Sequence, residues 1–272
     1  MPISISMATG PMPMAMTDPL SCDGHVHTSL CGHATGEMED YVQAALAQGL
    51  AEIIFLEHFE WGIDYFERTW LFPADFVRYQ QEGERLSARY GGRIKVGVGV
   101  EVGLNLEGLA ETRAFIDSYP WARVGLSYHF LACGQGGHLN MVSRKARNTI
   151  GLARLGHDEV LRLYLAGLLR GVRELPVSAV CHLDAVLRHS ADVQWQDEHR
   201  QLVTAILHAM AERGVALEVN TSGLALGRDA FPAAWIRDQA RAIGLNFVYG
   251  SDAHRPEDVG RYFNSDQLKE TT

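Results

Sequence analysis

The segment 23–33, DGHVHTSLCGH, brings His25, His27 and His33 close together in the chain. His25 and His27 are separated by one residue, so on an extended strand their imidazoles lie on the same side. Further along, His58, Glu101, His129, His182 and the pair Asp252 and His254 each close an apolar run. Imidazole nitrogens and carboxylate oxygens are metal donors, and together they exceed what a single tetrahedral ion takes. They suit two or three divalent ions that share bridging groups. Glu101 and Asp252 are the natural bridges, because a carboxylate offers two oxygens. A nitrogen-rich set favours zinc, iron or manganese over magnesium or calcium, which prefer oxygen shells; the sequence does not choose among the three. Asp23, two residues before His25, is a candidate to orient an imidazole through a hydrogen bond. The alternative for Asp23 is a turn residue in "DG".

These side chains need elements that bring them to one place. Short apolar runs alternate with longer helical patterns: SCDGHV, AEIIFLEH, IKVGVGVE, RVGLSYHF, VSAVCH, ALEVN and NFVYGSD read as strands. Between them, EMEDYVQAALAQG places Met38, Tyr41, Val42, Ala45 and Leu46 on one helical face. DEHRQLVTAILHAMAERG does the same with Leu202, Val203, Ile206, Leu207 and Met210. Gly49, Gly91, Gly214 and Gly244 each end a helical stretch before a strand, as left-handed caps would. Parallel neighbours need a crossover, so this alternation predicts an α/β domain with a parallel sheet covered by helices. A single closed or nearly closed barrel over residues 18–272 is expected, with an open doubly wound sheet as the structural alternative. The ligand-type residues then fall at the C-terminal ends of the strands, the rim where catalytic groups of such barrels collect. The remaining strand ends in Asn220, which is also polar. GVGVEVG is no dinucleotide fingerprint, since no helix begins at its last glycine.

Charge excludes other roles. A formal net charge of −9 and a pI near 5.7 disfavour a sequence-independent grip on nucleic acid or an anionic membrane. No apolar run approaches the roughly 20 residues that span a bilayer. The first lysine or arginine is Arg68, so the Met-rich start lacks the basic region of a secretory signal. Residues 1–17 are read as a flexible tail, and a cytoplasmic location is the default. Cys22, Cys31, Cys133 and Cys181 form no CxxC pair and are expected to be reduced thiols packed as small hydrophobes. Cys181 is expected to face away from His182, as strand neighbours do.

At this point the residues resemble the polymerase and histidinol phosphatase (PHP) superfamily of metal-dependent phosphoesterases, from Asp23 to about Phe263. The HxH motif with a third histidine reads as His25, His27 and His33. The later motifs read as His58 in LEHFE, Glu101 after VGV, His129 in SYHF, His182 in CHLD, and Asp252 with His254 in GSDAHRPEDVG. The resemblance implies a distorted, TIM-like (β/α)7 barrel with up to three metals. EHF, EVNTSGL and GSDAHRPEDVG look most like the histidinol-phosphate phosphatases within it, implying hydrolysis of histidinol phosphate in histidine biosynthesis.

The chemistry expected is attack on phosphorus by a hydroxide bridging two ions, with metals and a cationic side chain neutralising the phosphoryl oxygens. Three divalent ions would move the formal balance from −9 to about −3 and make the mouth locally positive. Asp252, His254 and Arg255 are the catalytic candidates. Arg255, Arg144 and Arg147 are candidate phosphate clamps, with Lys145 beside them, while His138 is a candidate acid and Asn220 a candidate substrate contact. The expected partner is a small phosphate monoester. The alternatives are another small phosphoester, nucleotides or single-stranded DNA ends, an amidohydrolase-type barrel lacking its bridging lysine, and a metal-binding regulatory domain.

Overall fold

The computed structural model describes residues 18–134, 137–189, 193–265 and 268; the expected tail, residues 1–17, lies outside them. In chain order the elements begin β1 (Cys22–Val26), α1 (Met38–Ala47), β2 (Glu52–Glu60), α2 (Asp75–Tyr90), β3 (Lys95–Gly103), α3 (Leu109–Ile116) and β4 (Val124–Ser127). They continue with β5 (Phe130–Cys133), β6 (Gly137–Asn140), α4 (Ala146–Leu155), α5 (His157–Glu174), β7 (Ala179–Val180), α6 (Asp197–Arg213), β8 (Ala216–Asn220), α7 (Ala234–Ile243) and β9 (Phe247–Gly250). Among these described residues no helix is long and apolar enough to cross a membrane.

A seven-stranded parallel sheet runs in the order β1-β2-β3-β4-β7-β8-β9. Its two edges meet: Val26 bridges Ala253, the His27 N–H donates to the Ala253 carbonyl at 2.9 Å, and the Asp252 N–H donates to the His25 carbonyl at 2.9 Å. The sheet is therefore a nearly closed barrel, as the strand count and alternation imply, and the open-sheet alternative falls away. The hairpin β5–β6 stands outside the barrel as a separate antiparallel pair. It takes the end of the run read as one strand, RVGLSYHF, and part of the segment after it.

The helices form where sequence and capping agree. α1 opens with a reciprocal cap in which the Glu37 side chain accepts from the third-residue backbone and Asp40 accepts from the Glu37 N–H. It buries Met38, Tyr41, Val42 and Ala45. α6 opens on Gln196 and His199 in the same way and buries Val203, Ile206, Leu207 and Met210. Gly49, Gly214 and Gly244 adopt positive φ as expected, but Gly91 sits at φ −51 and the left-handed position falls to Gly92 at φ 85.

Strand alternation splits the apolar residues between two surfaces. Ile53, Phe55, Val100, Val102, Leu126, Leu217 and Val219 join one large core beneath the helices. Ile54, Leu56 and Cys181 form a small separate cluster inside the barrel, with Cys22 packed against it. That interior is narrow: a β-carbon on Gly125 would come within 2.5 Å of Cys181 Sγ. All four cysteines are free thiols.

Candidate metal centre

Above this plug the barrel interior turns polar. The β1–β2 register shifts between Asp23 and Val26, a stretch that contains the first of the two histidines that enter the mouth. His25 and His27 bring their Nε2 atoms to 2.9 Å, with ring centroids 4.9 Å apart. Asp23 does not orient either ring. Its carboxylate accepts from the Ser251 N–H and hydroxyl and from the Gly260 N–H, so it ties β1 to the segment after β9. The imidazole is oriented instead by Glu218 of β8, whose Oε1 lies 2.6 Å from His25 Nδ1. Gly250 opens the space for this pair: a β-carbon there would lie 2.4 Å from His25 Cβ and 2.6 Å from Glu218 Oε1.

Glu101, at the end of β3 and 1% exposed, is the hub. Its Oε2 is 2.8 Å from His58 Nδ1 and 3.5 Å from the Nε2 atoms of both His25 and His27. Its Oε1 is 2.9 Å from His182 Nε2 and 3.4 Å from His129 Nε2. Asp252 Oδ1 lies 3.4 Å from His27 Nε2, 3.8 Å from His25 Nε2 and 3.6 Å from His254 Nδ1. His33 and His254 meet Nε2 to Nε2 at 2.9 Å, and the His27 ring stacks on His58 at 4.1 Å. All nine side chains expected as ligands thus converge on one mouth.

Two of them depart from ordinary strand geometry. His182 has φ 24 and Asp252 φ 53, a region that costs a non-glycine residue about 1 kcal/mol or more. The turn at His182 overrides alternation: Cys181 and His182 both face the interior, contrary to the sequence expectation, and Glu218 Oε2 accepts from the His182 N–H at 2.8 Å.

The charges balance among themselves. Burial pushes the Glu101 carboxyl up, but His58, His129 and His25 outweigh it and hold the group well below the usual range. Asp252 follows the same pattern, with His27, His25 and His254 prevailing over burial. Burial together with His58 and His254 lowers His33 to about 3, and burial with the same two neighbours keeps His27 neutral. At His129, burial opposes protonation, yet Glu101 and Glu60 raise it to about 10. At His25, burial is likewise overcome by Glu218 and Glu101.

The donor set fits divalent transition ions. Buried His27 Nδ1, His182 Nδ1 and Glu101 Oε2 have no hydrogen-bond partner; the 2.8 Å approach of His58 to Glu101 lacks hydrogen-bond geometry. Paired nitrogens facing one another at 2.9 Å share at most one proton between them. The upward push on His25 and His129 reflects negative charge that a bound cation would neutralise. Glu218 behind His25, and Glu60 at 2.8 Å from His129 Nδ1, each fix a tautomer that leaves Nε2 turned to the cluster.

The cluster opens into a cavity of about 500 Å³ that includes its open mouth, lined on one side by His33, His58, His129, His182, Asp252 and His254. Arg188, in the turn after His182, also lines it and places Nη2 3.6 Å from Asp252 Oδ2. The residues expected to meet substrate lie elsewhere. Arg255 is exposed, next to His254 in the chain. Arg144 is exposed and donates to His189 Nδ1, and Arg147 lies over the Phe66 ring. Buried His138 accepts from the Asp64 N–H, and Asn220 donates to Glu218 Oε2 while accepting from Ser222. None of the five is on the cavity wall. Sequence reading missed Glu218, Glu60 and Arg188. A glutamate within the apolar run ALEVN was a signal for the first.

A protein-family model described as "PHP domain" matches residues 23–222, which leaves Asp252 and His254 beyond the matched stretch. A histidinol-phosphatase of Lactococcus lactis is 30% identical over 73% of this chain and 71% of its own length. That of Bacillus subtilis is 27% identical over 88% and 95% respectively. Among solved structures, a chain from Listeria monocytogenes matches with TM-score 0.81 at 23% identity, covering 90% of this chain and 99% of that one. The histidinol phosphate phosphatase of Lactococcus lactis, solved with zinc, L-histidinol and phosphate, matches with TM-score 0.74 at 23% identity, covering 92% and 93%.

Proposed function

Because the chain belongs to the PHP domain family, we propose that it is a metal-dependent phosphomonoesterase that hydrolyses histidinol phosphate to histidinol and phosphate. The observation that carries the reading is Glu101, one buried carboxylate approached by five imidazoles from separate parts of the chain. His25, His27, His33, His58, Glu101, His129, His182, Asp252 and His254 would hold two or three divalent ions. When bound, such ions supply Lewis acidity, neutralising phosphoryl oxygens and lowering the pKa of water.

The remaining work falls to the chain itself. Glu218 and Glu60 hold the His25 and His129 rings in the tautomer whose Nε2 faces the cluster. Arg188 takes the clamp role expected of Arg255, Arg144 and Arg147, because its guanidinium shares the cavity with the cluster and can grip two phosphate oxygens in its plane. Asp252 stands between that cation and the imidazoles. Its position ties the clamp to the cluster, which keeps it and His254 as the proposed catalytic pair. A domain spanning residues 18–272 and a cytoplasmic location belong to the same reading.

The test is a kinetic panel of phosphomonoesters with the metal-loaded protein. Histidinol phosphate is expected to lead in kcat/KM, and Arg188→Met to lower that value about 100-fold. The reading is lost when another phosphoester is hydrolysed better by orders of magnitude, or when chelator-stripped protein is equally active.

A further inference from the structure

The cavity lining also includes uncharged residues that the phosphate chemistry does not use. These are Thr69, Phe130, Asn140 and Val142. A phosphate monoester has one dianionic end and one organic end. The imidazoles and Arg188 suit the first, and these uncharged residues suit the second.

Asn140 is held from two directions. Its N–H donates to Asn148 Oδ1 at 3.0 Å, and its Oδ1 accepts from the Val142 N–H at 2.9 Å. The Val142 donor decides which end of the amide is oxygen, so the NH₂ is the end left over. That NH₂ has no partner among the described residues, and neither has the Thr69 hydroxyl. Phe130 is fixed by edge contacts with Tyr65 at 5.0 Å and Trp70 at 5.5 Å between ring centroids. The hairpin carrying both residues is bound to the 61–72 loop by two hydrogen bonds between His138 and Asp64, at 3.0 and 3.1 Å. These residues are therefore in place before substrate arrives, with a fixed ring, a fixed donor and a free hydroxyl.

Resting on the reading above, we infer that Asn140 is a specificity-determining residue whose side-chain NH₂ donates to the lone-pair nitrogen of a neutral heteroaromatic ring on the substrate. A neutral imidazole offers one such nitrogen, and a protonated imidazole offers none. A site that hydrogen-bonds a substrate atom rejects analogues that leave its own donor unpaired.

Asn140→Asp tests this. The carboxylate keeps an acceptor for the Val142 N–H and exchanges the outward donor for an acceptor. Phenyl phosphate, which has no titrating ring, serves as the reference for effects of pH on the metal cluster and on the phosphate. In the wild type, KM for histidinol phosphate relative to phenyl phosphate is expected to rise as pH falls through about 6.5, where imidazole protonates. In Asn140→Asp the same ratio is expected to fall through that window, and at pH 8 selectivity for histidinol phosphate to drop about 30-fold or more. Thr69→Val, of equal volume, is expected to raise KM for histidinol phosphate about tenfold with kcat little moved. Parallel pH profiles in wild type and Asn140→Asp overturn the inference while leaving the phosphatase reading intact. A wild type that hydrolyses phenyl phosphate and ignores histidinol phosphate overturns both.

Discussion

The barrel interior has a floor and a mouth, and the two are filled on opposite principles. At the floor, Ile54, Leu56 and Cys181 pack tightly enough that Gly125 has no room for a methyl group. At the mouth, the same strands present imidazoles and carboxylates with buried atoms that no protein group satisfies. An unsatisfied buried polar group costs about 1–3 kcal/mol, and His182 and Asp252 add backbone strain on top. The floor and the outer core stabilise the fold; the mouth draws on that stability and holds donors ready for something else.

Substitutions can sharpen or break this division. The largest effect is expected from Glu101→Gln, which keeps the hub's volume and removes its charge. Metal content should fall and kcat/KM drop about 1000-fold, while far-UV circular dichroism shows the fold retained. Retained metal with full activity would erase the distinction. At the floor, Leu56→Ala should cost about 3 kcal/mol in denaturant titration, yet leave the metal bound per folded molecule unchanged. Glu218→Gln should weaken metal affinity 10- to 100-fold by loosening His25, read by competition with a chelating dye. The smallest effect concerns Glu57, whose Oε1 accepts from the Thr28 N–H and hydroxyl just outside the mouth. Burial pushes its carboxyl from 4.5 up to about 8. Between those values the folded chain keeps a proton that the unfolded chain has released, so stability falls as pH rises across the window. Glu57→Gln should make the melting temperature of metal-free protein fall less steeply from pH 4.5 to 8.

The candidate ligands were legible because all but His33 are polar side chains closing an apolar run, and alternation placed those runs on a parallel sheet, with a barrel favoured over an open sheet. The supports were harder to read. Glu218 sits inside its strand, where a charged residue looks like a break in pattern rather than a partner for His25, 193 positions away in sequence. Arg188 follows a 3₁₀ turn (Ala185–Leu187) whose direction depends on the left-handed backbone at His182. That same backbone turn is why Cys181 and His182 share a face. Asp23 lies close to His25 and accepts from its backbone N–H, yet it makes no bond to either ring, and its shorter bonds run to Ser251 and Gly260 across the seam. Arg255, although adjacent to His254 in sequence, is exposed and is not among the residues lining the cavity.

The barrel closes where β1 meets the segment after β9, with Val26 bridging Ala253 and the Asp23 carboxylate fastening Ser251 and Gly260. The HxH and DxH residues stand on the two sides of that seam. A growing polypeptide leaving the ribosome would therefore carry its first two histidines for more than 200 residues before their counterparts emerge. Half-made chains lack Asp252 and His254, so the full donor set exists only once the last strand has closed the barrel against β1.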